Sequence, residues 1–308
     1  MKKIFISTSS FGEFDQAPIK LLRDAGFETG FNPYGRSLVK DEIVKLASDA
    51  EGLIAGTEPL GSDNLSKMRN LKVISRCGVG MDNVDLKAAK SLGVKVFNTP
   101  DAPTIAVAEL TIGMILDLLR RISQMDREIR SGRWKKRMGS LLSGKSVGII
   151  GFGRIGRKAA ELLKPFNCKL GYYDIDDSAS RVKNPDVKKL GLDELLKASD
   201  IVLLHVSNSG GGYIMGENEI KKMKKGALIV NVSRGEALDE KALCGALKDG
   251  RLSGAALDVF EKEPYEGELK GMENVILTPH IGSYAREARA GMEMEAAKNL
   301  LKGLEDTK

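Results

Sequence analysis

The sequence is short of several things, and each shortage excludes a class of protein. No apolar run approaches the roughly 20 residues that a membrane-spanning helix needs, so no membrane partner is expected. There are three cysteines, Cys77, Cys168 and Cys244, an odd number without metal-ligand spacing. That pattern argues against a disulfide framework and a metal module, and for reduced thiols in a cytoplasmic protein. There are only two histidines, His205 and His280. The N-terminal lysines precede only a brief apolar stretch, Ile4-Phe5-Ile6, which reads as a first strand and not as a signal peptide. The net charge of +6 is modest. Its lysine clusters, such as Lys135-Lys136-Arg137, accompany no nucleic-acid-binding motif and read as solvated helix faces.

What is present begins with GFGRIG at Gly151 to Gly156. It follows the apolar run Ser146–Ile150 and precedes a helical pattern from Arg157 to Pro165. A strand, a glycine turn and a helix N-terminus together form a pyrophosphate site. Gly151 permits the tight turn, Gly153 lets phosphates approach the backbone, and Gly156 lets helix and strand pack closely. The next strand, Cys168 to Tyr173, ends in Asp174, placed to bind the adenosine ribose hydroxyls of a dinucleotide. Asp176 and Asp177 follow, with no nearby cation for a 2′-phosphate, so NAD is favoured over NADP.

A length of 308 residues, 42% hydrophobic and 29% charged, suits a globular protein of one large or two medium domains. In the first hundred residues, strands are expected at Lys3–Ser7, Gly52–Ala55, Val73–Ser75 and Val94–Phe97. Helices are expected at Ala17–Ala25, Lys40–Ala47 and Leu86–Leu92. One long helix is expected from Ala106 to Arg130. After Gly156 the alternation resumes, giving six strands from Ser146 to Thr278 in a doubly wound nucleotide domain. A last helix from Tyr284 returns to the first domain. The expected division is 1–98 with 284–308 for one domain and 99–283, inserted within it, for the other.

Ligands bind at the C-terminal ends of parallel strands. Arg234, Glu263 and His280 all follow such ends. Reducing a 2-oxo acid by hydride builds negative charge on the carbonyl oxygen. A protonated His280 can donate to that oxygen. Glu263 beside it would raise the imidazole's pKa and fix its tautomer. Arg234 can bind a carboxylate and polarise the carbonyl. His205 also lies at a strand end. Its backbone is a candidate for lining the cofactor cleft, and its imidazole has no assigned role.

Further motifs accompany these residues. They are NPYGR (Asn32–Arg36), GVGMDNVD (Gly78–Asp85), NTP (Asn98–Pro100), VAELTIG (Val107–Gly113), NVSRGEALDE (Asn231–Glu240), ALDVFEKEP (Ala256–Pro264) and TPHIGS (Thr278–Ser283). Across almost the whole chain the sequence resembles the D-isomer-specific 2-hydroxyacid dehydrogenases, and among them the 3-phosphoglycerate dehydrogenase branch. The resemblance implies an α/β fold of two doubly wound parallel-sheet domains, a Rossmann NAD-binding domain inserted in a flavodoxin-like substrate domain. It implies Arg234 for substrate, Glu263 as the histidine's partner and His280 as proton donor. Cofactor contacts are implied at Thr99, Arg154, Ile155, Asp174, His205, Val206, Ser207, Val232, Ser233, Arg234, Asp258, His280, Gly282 and Ser283. The amides of Gly78, Val79 and Gly80 are implied for the substrate carboxylate, and a homodimer through the VAEL helix is expected. Arg36 and Arg76 are candidates for recognising a substrate phosphate.

The sequence departs from this pattern at Ser207 to Gly212, where the family has a proline and threonines and this chain has three glycines. The chain stops at Lys308, so no serine-binding regulatory domain is expected. The expected substrate is 3-phosphoglycerate. The alternatives are a glyoxylate or hydroxypyruvate reductase and, further off, an NAD-sensing interaction protein without catalysis.

Overall fold

The structure, a computed structural model, describes residues 2–176, 186–207 and 212–306. The chain divides into two compact units, Met1–Pro103 with Ser283–Lys308, and Thr104–Gly282. Thr99 and Ser283 therefore belong to the first unit.

The first unit is built on strands β1 (Lys2–Ile6), β2 (Phe27–Phe31), β3 (Gly52–Ala55), β4 (Val73–Arg76) and β5 (Lys95–Phe97). They form one sheet in the order β2-β1-β3-β4-β5, every pairing parallel. This is the flavodoxin-like order. Side chains alternate along each strand. Phe5, Leu53, Ala55 and Ile74 enter one core, and Ile4, Ile6, Ile54 and Val73 enter the core on the other face. A sheet covered on both faces needs apolar residues at successive positions, which is why these strands read as continuous apolar runs. The helix Arg286–Glu305 closes the second of these cores with Met292, Ala296, Ala297, Leu300 and Leu304. The same helix buries an ion pair, Arg289 to Glu293 at 3.0 Å, whose carboxylate also accepts from Gly12 N at 2.8 Å.

The second unit carries β6 (Ser146–Ile150), β7 (Lys169–Tyr173), β8 (Val187–Lys189), β9 (Ile201–Leu204), β10 (Ala227–Asn231), β11 (Leu252–Leu257) and β12 (Val275–Leu277). Their order is β12-β11-β10-β9-β6-β7-β8, again all parallel. Numbered from β6, this is the Rossmann order 3-2-1-4-5-6 with a seventh strand at the edge. The order reverses between β6 and β9, so a ligand crevice is expected beyond their carboxyl ends.

Two strands escape the sequence reading, β2 and β8. Both are sheet edges, and their residues explain the omission. Phe27–Phe31 reads FETGF and has no fully buried position, while β8 carries two exposed lysines. Edge strands keep polar residues that discourage pairing with other chains. The single helix expected over 106–130 is two helices, Thr104–Arg120 and Ile122–Arg130. Between them Arg121 takes a left-handed conformation, φ 54°. The Asp117 carboxylate accepts from Ser123 N at 2.8 Å and so caps the second helix. The Leu119 carbonyl accepts from Ser140 N at 2.9 Å instead of continuing the helical ladder. Among the described residues no helix is long and apolar enough to cross a membrane.

Candidate active site

The glycine turn is shaped by what surrounds it. Gly151 has φ +90°, and a Cβ there would lie 2.5 Å from His205 O. Only a residue without a side chain permits that conformation and that approach together. A Cβ on Gly156 would collide with Gly151 O, so the following helix is drawn onto the turn. Gly153, by contrast, has nothing within 4 Å of where its Cβ would be, and it caps the N-terminus of the helix Arg154–Leu163. Open space before the first amides of a helix, those of Arg154 and Ile155 included, suits a pyrophosphate. The turn therefore fits a dinucleotide.

Asp174 lies beyond β7 and is tied to that turn. One carboxylate oxygen accepts from Phe152 N at 2.6 Å, the other from Asp176 N at 2.8 Å. A carboxylate has further lone pairs for ribose hydroxyls. Asp177, which adds to the negative charge in the sequence reading, lies outside the described residues, as do Asn208 to Gly211 in the glycine-rich loop. Replacing Asp174 with serine is expected to weaken NADH binding about tenfold, the loss of a charge-assisted hydrogen bond, and to narrow the gap to NADPH. Fluorescence titration with both nucleotides measures this, and an unchanged NADH affinity would remove Asp174 from the ribose site.

At the end of β9, His205 N donates to Ile150 O at 2.8 Å, which fixes the backbone beside Gly151. The imidazole is buried, neither ring nitrogen has a hydrogen-bond partner among the described residues, and burial lowers its pKa to about 4. It is neutral and takes no part in an acid–base pair. Val206 is half-buried and Ser207 exposed.

At the end of β10 an asparagine organises the turn. Asn231 Oδ1 accepts from Ser233 N at 3.0 Å and Ser233 Oγ at 2.9 Å, while its Nδ2 donates to Arg234 O at 2.8 Å. Val232 and Ser233 are buried and Arg234 half-buried, its Nη1 donating to Ser233 O at 2.7 Å. The sequence reading missed Asn231 as a functional support. Its signal was an asparagine at a strand end, which readily bonds its own backbone two residues on.

Past β11, Asp258 is buried. Its carboxylate accepts from Thr278 Oγ1 at 2.5 Å, Ile281 N at 2.8 Å and Gly282 N at 2.8 Å. Burial pushes its pKa up, and these three donors pull against that. The expected cofactor contact at Asp258 is thus first a clamp on residues 278–282. His280, inside the clamped segment, has φ 55°. Histidine is among the few non-glycine residues that tolerate this region.

Half-exposed His280 meets Glu263, with Nδ1 2.9 Å from Oε2. The other Glu263 oxygen accepts from Phe260 N at 3.2 Å. The Glu263 hydrogen bond raises the His280 pKa, burial opposes it, and the charges of Glu263 and Asp258 add to the rise. Burial pushes Glu263 upward, but the hydrogen bond and charge of His280 outweigh it and its pKa ends below the usual carboxylate range. The Arg234 charge acts on both partners, lowering each. Glu263 and His280 are brought into contact, and the Arg234 charge reaches both.

In the first unit the loop after β4 is stitched on several sides. Gly78 N donates to Thr99 Oγ1 at 2.7 Å, and Thr99 N donates to Gly78 O at 3.0 Å. Thr99 is buried, and its hydroxyl oxygen accepts this bond. The Gly78 amide, expected to meet a substrate carboxylate, is committed to it. Asn98 Nδ2 donates to Val79 O at 2.8 Å and holds the next residue of the loop. Gly78 has φ +151°, and a Cβ on it would collide with Arg76 Nη1. The guanidinium occupies the place of the missing side chain, and Nη1 donates to Cys77 O at 2.8 Å. Arg36, the other candidate for a phosphate, is held by Glu42 through two bonds of 2.7 and 2.8 Å.

A family model, D-isomer specific 2-hydroxyacid dehydrogenase, NAD binding domain, matches residues 112–282. A glyoxylate reductase of Thermococcus litoralis is 42% identical over 262 residues, 80% of this chain and 77% of its own. A D-3-phosphoglycerate dehydrogenase of Archaeoglobus fulgidus is 37% identical over 274 residues, 86% of this chain but 52% of its own. The crystal structure of the TT0316 protein from Thermus thermophilus matches with a TM-score of 0.89 at 34% identity, covering 99% of this chain and 97% of that one. The chain belongs to the D-isomer specific 2-hydroxyacid dehydrogenase family. It is an NAD-dependent dehydrogenase of 2-hydroxy acids.

Proposed function

We propose that this enzyme reduces a short 2-oxo acid of the glyoxylate or hydroxypyruvate kind. The observation that carries the reading is the His280–Glu263 pair at 2.9 Å with Arg234 acting on both. The Gly151–Gly156 turn and Asp174 would hold the dinucleotide, which in its reduced form, NADH, would supply the hydride and be left as NAD+. His280 Nε2 gives its proton to the developing alkoxide, and Glu263 stabilises the imidazolium and keeps the Nδ1 proton in place. Arg234 and the amides of Val79 and Gly80 hold the substrate carboxylate and 2-oxo group against that charge. The cofactor roles of Thr99, Val206, Ser207, Val232, Ser233, Gly282 and Ser283, and a homodimer through the helix containing Val107, belong to the same reading.

Glyoxylate reductase activity is favoured over the 3-phosphoglycerate activity of the sequence reading by two observations. The similar reductase from Thermococcus litoralis covers most of both chains. Of the two cations offered for a phosphate, Arg36 is occupied by Glu42. The test is NADH oxidation with glyoxylate, hydroxypyruvate, 3-phosphohydroxypyruvate and branched 2-oxo acids. Turnover of glyoxylate or hydroxypyruvate is expected. Tight NADH binding without turnover of any acid would point instead to an NAD-sensing protein.

A further inference from the structure

The motif Asn231–Glu240 carries Arg234, and the rest of it, residues 235–240, has no part in the proposed reaction. After Arg234 the chain makes a short turn, Gly235–Ala237. Asp239 then caps the helix Glu240–Lys248 by accepting from Ala242 N at 2.9 Å. Both ends of this stretch close on one peptide group, the one joining Phe260 to Glu261. Gly235 is buried, and a Cβ on it would lie 1.9 Å from Phe260 C and O and 2.4 Å from Glu261 N. Backbone packs on backbone there, an approach that only glycine permits. At the other end Glu240 Oε1 accepts from Glu261 N at 2.8 Å, and Glu261 Oε1 accepts from Glu240 N at 3.3 Å.

The peptide so gripped leads into the turn that carries Glu263. Phe260 is buried, its ring stacked on that of Tyr265 with centroids 4.4 Å apart. Its amide donates to Glu263 Oε1 at 3.2 Å, which leaves Oε2 for His280 Nδ1 at 2.9 Å. Residues 261–264 are exposed, so the turn is fixed by its anchors and not by burial. The bond from Glu261 N to Glu240 is one such anchor. Burial raises the Glu240 pKa, the Glu261 amide opposes that, and the Glu261 charge adds to the rise. The anchor needs an oxygen and no charge, because a carboxyl oxygen accepts in either protonation state. A misplacement of about 1 Å in a reacting constellation can cost up to about 10²-fold in rate.

We propose that Glu240 is a positioning residue: by holding the Phe260–Glu261 peptide it sets Glu263 against His280, so that the segment carrying Arg234 also steadies Glu263. The proposal rests on the reading of His280 and Glu263 as the proton-donating pair. The test compares Glu240→Ala, which removes the acceptor, with Glu240→Gln, whose side-chain carbonyl keeps it. Glu240→Ala is expected to lower kcat/KM for 2-oxo acid reduction about tenfold, within that range, with NADH affinity unchanged. It is also expected to lower the His280 pKa. The Glu263 hydrogen bond raises that pKa against burial, the charges of Glu263 and Asp258 add to the rise, and that of Arg234 opposes it. Glu240→Gln is expected to match the wild-type enzyme in both respects. Proton NMR reads the titration directly, because the chain has two histidines and burial holds the other, His205, at a pKa of about 4. Thermal unfolding establishes that each variant is folded. If Glu240→Ala does not fold, Glu240→Met, which keeps the stem without an oxygen, carries the same expectation. A His280 pKa that stays put in a folded Glu240→Ala enzyme overturns the proposal, and so does a Glu240→Gln enzyme that behaves like Glu240→Ala. Failure of the functional reading looks different: the His280 pKa then moves as expected while no form of the enzyme turns over a 2-oxo acid.

Discussion

His280→Asn is expected to lower kcat/KM for 2-oxo acid reduction about 10³-fold, within the range that a positioned proton donor supplies, while leaving NADH binding intact. Asparagine is the informative replacement because position 280 has φ 55°. Alanine would be strained there, and a loss of activity could then come from a displaced loop. Asparagine adopts the left-handed region readily and still cannot protonate an alkoxide. The Asp258 bonds to Ile281 N, Gly282 N and Thr278 Oγ1 involve no atom of the imidazole, so the loop keeps its path. Stopped-flow kinetics with NADH fluorescence separates the two readouts. Full turnover in a folded His280→Asn enzyme would remove His280 from proton transfer.

Glu263→Gln is expected to cost about 10²-fold in kcat/KM near neutral pH and to move the alkaline limb of the reduction profile to lower pH. Reduction needs the imidazolium, and Glu263 raises the imidazole pKa first through its hydrogen bond and then through its charge. Activity in the reducing direction therefore falls as pH rises through that raised pKa, and removing the carboxylate brings the fall to lower pH. Glutamine also presents a donor as well as an acceptor, so the Nδ1–H tautomer is no longer enforced. The pair's contribution to stability carries the opposite limits for its two members. The His280 share is present below the unfolded histidine pKa and is lost as pH rises through the raised folded value. The Glu263 share is present above the unfolded carboxyl pKa and is lost as pH falls through the lowered folded value. A pH–rate profile whose alkaline limb is unmoved in Glu263→Gln would separate the carboxylate from the proton donor.

Much of this site was legible because its residues sit where buried strands end. Ile149-Ile150 before Gly151, Val230 before Arg234 and Leu257 before Glu263 are apolar runs forced by a sheet covered on both faces. What was not legible depends on three-dimensional neighbours. The Gly78 amide and the Thr99 hydroxyl carry no mark in sequence that they satisfy each other. Arg121 breaks a helix without glycine or proline, because Ser140 takes the Leu119 carbonyl from far along the chain. Strands β2 and β8 were hidden by their position at sheet edges. Arg36, read as a candidate phosphate ligand, could not reveal its bidentate bond to Glu42 until the turn before the helix Lys40–Ala47 was in place.

The carboxylate of Asp258 makes the address of the imidazole proposed as proton donor a property of a different strand from the one that precedes it. His280 follows β12, a three-residue edge strand, yet its loop hangs from a buried residue at the end of β11. An edge strand can fray, drift in sequence or lengthen without relocating the proton donor, because the peg it hangs on is inside. Changes at the peg itself would behave in kinetics like changes to the reacting group, although Asp258 would transfer no proton.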